Sequence, residues 1–208
     1  MSSAKKSSFY IRRIHSLVGL LPIGIFMIVH FLINSTVFIN GNESYLAAVN
    51  FMKTTPGVIF LEVGLIAIPL LFHAIYGLYV VYVAHNNALQ YKYYRNWAFY
   101  LQRITAILTT IFIVIHVWTL RLAVHDSQMV IQTLVGWLQN PVTLAFYIIG
   151  YLAAVYHFGN GLFTFLITWG VAKGDRAQKV LSIICFCVFL ALAVWGGGLL
   201  YSLAQITF

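Results

Sequence analysis

Four histidines lie inside four separate apolar stretches of this sequence. They are His30, His73, His116 and His157, and apolar residues precede each of them. Imidazole exchanges protons near neutral pH and is the commonest protein ligand of metals. An ionisable side chain within an apolar membrane segment is energetically costly and indicates a functional site. Four histidines on four such segments therefore point to one shared function, either metal ligation or proton transfer.

The composition determines which elements must position these histidines. Of the 208 residues, 62% are hydrophobic and 8% are charged, whereas soluble domains carry about 25% charged residues. A helical membrane span needs about 20 apolar residues. We predict an all-α integral membrane fold with five transmembrane helices in one bundle and a single domain over residues 1–208. The predicted spans cover residues 14–38, 58–84, 97–120, 142–171 and 180–203.

Shorter elements join the predicted spans. Residues 44–53 read as an amphipathic helix at the membrane interface, and a weakly amphipathic stretch ends at Asn140 and Pro141. The first eight residues are polar and lead directly into a span, so we expect no cleavable signal peptide. Cys185 and Cys187 lie within the last span and are expected to be packing residues. No Cys-x-x-Cys-His motif is present, which excludes covalent c-type haem attachment.

The basic residues predict the orientation of the bundle. Five spans place the N-terminus and the loops after spans II and IV on one side of the membrane. That side holds ten of the twelve Lys and Arg residues, namely Lys5, Lys6, Arg12, Arg13, Lys92, Arg95, Arg103, Lys173, Arg176 and Lys179. Lys53 and Arg121 lie on the other side. The positive-inside rule therefore predicts a cytoplasmic N-terminus and an external C-terminus. This distribution also accounts for the net charge of +8 without a nucleic-acid partner.

Depth in the membrane sorts the histidines into two pairs. His30 and His116 lie near the external ends of spans I and III. His73 and His157 each lie about 16 residues, or roughly 24 Å, from the external end of their helix. Two histidines at one depth on facing helices can bind haem iron from both sides. A zinc or copper site needs three or four ligands at one depth. A proton relay needs interleaved carboxylates, and Glu62 is the only acid within a predicted span.

Two glycines add to the haem hypothesis for the inner pair. Gly77 follows His73 by four residues, and Gly161 follows His157 by four. Residues four apart share one face of a helix. We therefore predict that both glycines leave room for the edge of a haem. No such glycine follows His30 or His116.

Six segments of the sequence resemble one known family. They are residues 9–17 (FYIRRIHSL), 70–77 (LLFHAIYG), 94–97 (YRNW), 101–105 (LQRIT), 116–118 (HVW) and 157–162 (HFGNGL). Together they are similar to the cytochrome b membrane-anchor subunit of succinate:menaquinone oxidoreductase, in its single-chain, five-helix, two-haem form. The resemblance covers nearly the whole chain. Cytochrome b of the bc complexes differs, because it places two ligands on each of two helices.

The resemblance implies a function for the chain. His73 and His157 would bind the iron of the haem nearer the iron–sulfur subunit, and His30 and His116 that of the distal haem. A flavoprotein subunit with covalent FAD and an iron–sulfur subunit would dock on the cytoplasmic side of a bacterial cytoplasmic membrane. Electrons from succinate would then reach menaquinone through two b haems. The chain itself would perform electron transfer and quinone reduction but no succinate chemistry.

Further residues have weaker functional predictions. Glu62 could carry protons at an external quinone site, or it could be a hydrogen-bonded interface residue. Arg12, Arg13 and Ser16 at the start of span I could contact haem propionates or the iron–sulfur subunit. Arg103, just inside span III, is the preferred propionate contact. His15 is expected to lie too near the cytoplasmic surface to pair with a buried histidine.

Two alternative functions use the same residues. The same scaffold could anchor a quinol:fumarate reductase, which runs the reaction in reverse. The partner subunits and the redox potentials set the direction, so the sequence leaves it open. A more distant alternative is a transporter without haem, in which the histidines form a proton relay.

Overall fold

The computed structural model describes residues 3–85 and 87–208, with side chains from residue 9 onward. Lys5 and Lys6, which contribute to the orientation argument, have side chains outside the described part. The described residues form helices and connecting turns, with no strand among them. The α-helices are Ser3–Leu20, Pro22–Asn34, Val37–Asn40, Asn42–Thr54, Val58–Leu61, Ile68–Tyr82, Tyr94–Val117, Ser127–Gln139, Pro141–Thr168 and Asp175–Ala204, and Glu62–Ala67 and Trp118–Leu122 are π-helical.

Five helical segments in the described part are long and apolar enough to cross a membrane, as predicted. Span I is Phe9–Asn40, span II Val58–Tyr82, span III Tyr94–Leu122, span IV Pro141–Thr168 and span V Asp175–Ala204. Many of their large apolar side chains face outward, which suits helices surrounded by lipid.

Several spans extend beyond the predicted limits, because hydropathy detects apolar residues while a helix continues through polar ones. Span V begins five residues before residue 180, with Asp175 in its first turn, where a carboxylate favours the positive end of the helix dipole. Span IV ends at Thr168 rather than at residue 171. Gly170 adopts a φ of 73° just after it, as expected of a glycine that terminates a helix.

Spans I to IV form a closed ring in which each helix contacts the next. Span I packs against spans II and IV, and span III also packs against spans II and IV. Span V lies outside this ring, against span IV. Each helix of the ring carries one of the four histidines. Side chains that project inward from facing helices are the usual basis of a site in the core of a bundle.

The two shorter helices, Asn42–Thr54 and Ser127–Gln139, cover one end of the ring, which we call the capped end. The first confirms the predicted amphipathic helix. The second is more than weakly amphipathic, because Ile131, Val135 and Leu138 are almost fully buried. They join a core with residues from the ends of spans I, IV and V, including Tyr147. The opposite end, with Arg12, Arg13 and the loops after spans II and IV, is called the basic end.

Prolines shape two of the histidine-bearing spans. Pro22 begins the second helix of span I, and Pro69 lies at the start of the helix that carries His73. A proline has no N–H to donate to the carbonyl one turn earlier. In span II, the wider turn Glu62–Ala67 directly precedes that helix. Such π-helical turns are frequent at functional sites.

Candidate functional site

The structure brings together the histidines of each predicted pair. The ring centroids of His73 and His157 are 6.2 Å apart, with an angle of 84° between the ring planes. The centroids of His30 and His116 are 5.9 Å apart at 89°. The histidines that depth predicts to be paired therefore lie close together, while their role as ligands of one iron stays a prediction.

Each histidine of the basic-end pair, His73 and His157, forms a hydrogen bond from one ring nitrogen to a backbone carbonyl. His73 Nδ1 donates to the carbonyl of His15 over 3.0 Å, and His157 Nδ1 donates to the carbonyl of Gln102 over 3.2 Å. Because a carbonyl only accepts, Nδ1 carries the hydrogen in both rings and Nε2 keeps its lone pair. This is the usual arrangement of a histidine that binds a metal through Nε2.

Aromatic rings surround the capped-end pair. Phe26 lies 5.6 Å from His30 between ring centroids, and Phe112 lies 5.4 Å from His116. The hydroxyl of Tyr147 is 3.5 Å from His116 Nδ1. The capped-end rings are thus positioned mainly by packing.

These contacts fit two haem sites, each held by two histidines. A bond between a metal and an imidazole nitrogen is about 2 Å long, so two imidazoles on opposite sides of one ion have centroids about 6 Å apart. Ordinary edge-to-face packing spans a similar distance, and the Nδ1 hydrogen bonds at the basic end favour ligation. No group of three or more His, Cys, Asp or Glu side chains suited to a metal occurs in the described part. That part therefore lacks the larger ligand set that a structural zinc site uses.

The expectation for His15 is wrong. Its ring stacks on His73, with centroids 4.2 Å apart and planes inclined by 1°, and His15 Nε2 donates to the carbonyl of His73 over 3.2 Å. Depth counted along span I alone places His15 near the cytoplasmic surface. Since spans I and II pack closely, the long side chain of His15 reaches the level of His73.

The two predicted clearance glycines face side chains of neighbouring spans. A Cβ on Gly77 would lie 3.3 Å from His15 Nε2, and a Cβ on Gly161 would lie 3.5 Å from Gln102 Nε2. Space at both positions is therefore used by a side chain, and clearance for haem stays a prediction. The sequence argument missed Gly19, where a Cβ would overlap the ring of His73.

Sequence reasoning also missed the polar links between spans III and IV. Gln102 Nε2 donates to the carbonyl of His157 over 3.0 Å. Asn160 Nδ2 donates to Gln102 Oε1 over 2.7 Å and to the carbonyl of Ala98 over 3.1 Å. Asn160 is buried. Asn160 lies three positions after His157 and therefore on a similar face of the helix. A polar residue in that position is the sequence signal that could have identified Asn160.

The predicted propionate contacts lie at the basic end. Arg13 donates to the carbonyl of Thr168 over 3.1 Å, and Ser16 Oγ accepts from Trp169 Nε1 over 3.2 Å. Arg103 lies over the ring of Phe99. The Nε atoms of Arg13 and Arg103 are buried without a hydrogen-bond partner in the described part.

Glu62 forms an ion pair with Arg121 at the capped end. Arg121 Nη2 donates to Glu62 Oε2 over 2.6 Å, and Arg121 Nε donates to Glu62 Oε1 over 3.1 Å. Both residues lie in π-helical turns. Lys53 donates to the carbonyls of Val124 and His125 nearby. Burial, and then the nearby Arg121 guanidinium, lower the pKa of Lys53. Sequence analysis gave Glu62 no partner, since the two residues are distant in the chain.

Comparison with known proteins shows the family of this chain. The profile of the succinate dehydrogenase/fumarate reductase transmembrane subunit family matches residues 84–194. The succinate dehydrogenase cytochrome b558 subunit of Bacillus subtilis (strain 168) is 41% identical over 189 residues, which cover 90% of this chain and 93% of the relative. Such identity over almost the whole of both chains, together with five apolar spans, identifies the family. The chain belongs to the succinate dehydrogenase/fumarate reductase transmembrane subunits.

Proposed function

We propose that this chain is the dihaem cytochrome b anchor of a succinate dehydrogenase. The observation that carries the proposal is the pair of matched histidine contacts, 6.2 Å and 5.9 Å between centroids, on the four helices of one ring. The Bacillus subtilis relative is named a cytochrome b558 subunit, which supports b-type haem here. His73 and His157 would hold one haem, and His30 and His116 the other, within a single membrane domain.

The basic end would hold the haem carboxylates. The buried Nε atoms of Arg13 and Arg103 need an acceptor, because a buried donor without one is costly. A haem propionate supplies such an acceptor, and charge-assisted bonds of this kind are strong. Ser16 would add a hydroxyl beside Arg13. Arg12 is exposed and is better placed to contact a partner subunit.

The basic end would also bind the soluble subunits. Lys92, Arg95, Lys173, Arg176 and Lys179 are exposed there. The positive-inside rule assigns such a surface to the cytoplasm. We place the flavoprotein, with its FAD, and the iron–sulfur subunit on this side of a bacterial cytoplasmic membrane.

The capped end would be where menaquinone is reduced. Reduction of a quinone requires protons as well as electrons, and Glu62 is an acid at the same end of the bundle as the His30–His116 pair. Arg121 holds the Glu62 carboxylate through two nitrogens and so fixes its position. The π-helical turns around both residues interrupt regular helix packing and would give a quinone access from the lipid.

The chain would work as a relay and not as the site of succinate oxidation. Bound haem supplies two one-electron carriers in series. The protein residues hold these carriers at fixed depths in a bundle that excludes water, and they anchor the soluble subunits at one end. Axial ligand, hydrogen bonding and burial are the means by which the protein tunes such carriers.

The alternative is the anchor of a quinol:fumarate reductase, which uses the same residues in the opposite direction. The family description includes both activities. The name of the Bacillus subtilis relative favours succinate oxidation. Nothing in the histidine geometry depends on the direction of electron flow.

The test is the visible spectrum and haem stoichiometry of the assembled complex. We expect a reduced-minus-oxidised b-type α band, two haems per chain, and reduction of both haems by succinate followed by oxidation by a menaquinone analogue. Assays of succinate oxidation and fumarate reduction in one preparation determine the favoured direction. A complex without a b-type band would overturn the proposal and favour the transporter alternative.

A further inference from the structure

A reciprocal contact joins His15 in span I to His73 in span II. The ring of His73 donates from Nδ1 to the backbone carbonyl of His15. In return, the ring of His15 donates from Nε2 to the backbone carbonyl of His73. Each residue therefore uses its side chain to bind the other's main chain, and the stacked rings lie between the two helices.

A second reciprocal contact joins Gln102 in span III to His157 in span IV. His157 Nδ1 donates to the carbonyl of Gln102 over 3.2 Å, and Gln102 Nε2 donates to the carbonyl of His157 over 3.0 Å. The Gln102 amide nitrogen also lies 3.5 Å from His157 Nε2, which is a longer contact. The partners are 55 residues apart in the sequence, and those of the first contact are 58 apart.

The same arrangement of residues builds both contacts. In each, the partner side chain lies against the glycine four residues after the predicted ligand. A Cβ at Gly77 would crowd His15 Nε2 at 3.3 Å, and a Cβ at Gly161 would be in ordinary contact with Gln102 Nε2 at 3.5 Å. The neighbours differ. Asn160 fixes the amide of Gln102 by donating to its Oε1, while His15 is fixed by stacking on His73 itself.

No such reciprocal contact involves His30 or His116 in the described structure. The backbone carbonyl of His30 accepts from Asn34 Nδ2 over 2.7 Å, within the same helix. Among the described residues, the ring of His116 has one hydrogen-bond partner, the hydroxyl of Tyr147, at the long distance of 3.5 Å. The two reciprocal contacts are therefore specific to the basic-end pair.

We propose that His15 and Gln102 are matched positioning residues, which set the tautomer and ring orientation of the two basic-end haem ligands, His73 and His157. The proposal rests on the dihaem function proposed above. A carbonyl that accepts from Nδ1 fixes the tautomer and makes the ligand more basic. The side chains of His15 and Gln102 donate to the backbone carbonyls of His73 and His157 across the helix interface. These bonds hold the backbones of His15 and Gln102, and so their own carbonyls, in position to accept from the two ligand rings.

The expected effect is a change in one haem and not in the other. Loss of a partner that orients a metal ligand typically weakens metal binding by about 10- to 100-fold. A more basic ligand favours ferric iron, so loosening the contact raises the midpoint potential of the basic-end haem. A tenfold change in the ratio of ferric to ferrous affinity corresponds to about 59 mV for a one-electron couple. The capped-end haem should keep its potential.

The experiment is a redox titration of the assembled complex with His15→Leu and Gln102→Leu, together with haem content and the low-spin signal of each haem. Both variants should raise one midpoint potential by a similar amount. His15→Gln keeps an N–H donor, as at Gln102, and should restore most of the wild-type potential. Gln139→Leu is the matched control, because Gln139 donates to two backbone carbonyls at the capped end, far from either reciprocal contact.

The outcomes separate the two proposals. A wild-type complex without haem would refute the proposed function. Wild-type haem content and potentials in both leucine variants would refute the positioning role alone. If a leucine variant does not assemble, His15→Asn and Gln102→Asn replace it in the titration. Asparagine keeps a polar amide, but its shorter side chain does not reach the carbonyl of His73 or His157. Wild-type potentials in both asparagine variants would likewise overturn the positioning role.

Discussion

The two histidine pairs have similar separations but are held by different interactions. At the basic end, backbone carbonyls bind the rings of His73 and His157 through directed hydrogen bonds. At the capped end, Phe26 and Phe112 pack against His30 and His116. Hydrogen bonds fix the tautomer of a ring, whereas packing fixes mainly its location. Two histidine pairs with similar separations can therefore differ in how tightly the protein fixes the tautomer and orientation of each ring.

The largest effect is expected from removing one histidine of either pair. His157→Leu and His116→Leu should each reduce the haem content from two per chain to one, since a single imidazole remains at the site. His157→Leu should also weaken recovery of the soluble subunits, because the basic end is their proposed docking side. A pyridine haemochrome assay on the purified complex measures the haem. His125→Leu, at an exposed histidine, is the control, and two haems in His157→Leu would contradict the assignment.

Glu62→Gln should affect the capped end alone. General acid–base catalysis contributes at least on the order of 100-fold, so menaquinone reduction should slow by about that factor while both haem spectra stay unchanged. Stability should change little, because a partly exposed ion pair contributes about 0–1 kcal/mol. Steady-state quinone reduction by the complex measures the effect. Glu43→Gln, which alters an exposed acid of the first capping helix, is the control. A normal rate in Glu62→Gln would exclude the proton role.

Two glycine substitutions test whether contact with a histidine ring itself disturbs a haem more than contact with a neighbouring aromatic ring. A Cβ at Gly19 would overlap the ring of His73, and a Cβ at Gly150 would overlap the ring of Phe112. Overpacking of this kind costs about 1–3 kcal/mol. Gly19→Ala should alter the spectrum and potential of the basic-end haem strongly. Gly150→Ala should alter the capped-end haem less, because Phe112 lies between the new methyl group and His116.

The control for both glycines is Gly136→Ala, where an added Cβ meets nothing within 4 Å. It should leave both haems unchanged and raise helix stability slightly, since alanine is favoured over glycine in a helix by roughly 0.5–1 kcal/mol. Equal spectral changes in Gly19→Ala and Gly150→Ala would remove the distinction between the pairs.

Asn160→Leu should shift the potential of the basic-end haem only slightly. It removes the donor to Gln102 Oε1 and leaves that partly buried oxygen without its hydrogen bond, which costs about 1 kcal/mol. The melting temperature of the complex should fall, while the basic-end potential shifts less than in Gln102→Leu, because Gln102 keeps its own bond to His157. A melting temperature equal to that of the wild type would show that the link between spans III and IV does not need Asn160.

The sequence by itself determined the membrane class, the five spans and the pairing of the histidines. These features depend on composition and on residue counts along single helices, where rise per residue converts position into depth. The ends of the spans were less well predicted, because helices such as Asp175–Ala204 begin in polar residues. The family that the motifs resemble is the family to which the chain belongs, and those motifs lie along nearly the whole chain.

Only the tertiary structure decided which side chains from other spans touch the histidines. The stacking of His15 on His73, the contact of Gln102 with His157, and the ion pair of Glu62 with Arg121 each join residues more than 50 positions apart. Their geometry depends on how closely two helices pack and how each is rotated. Hydropathy and spacing within one helix do not predict the distance between two helices or the rotation of each, because both are set by the side chains of the neighbouring helices.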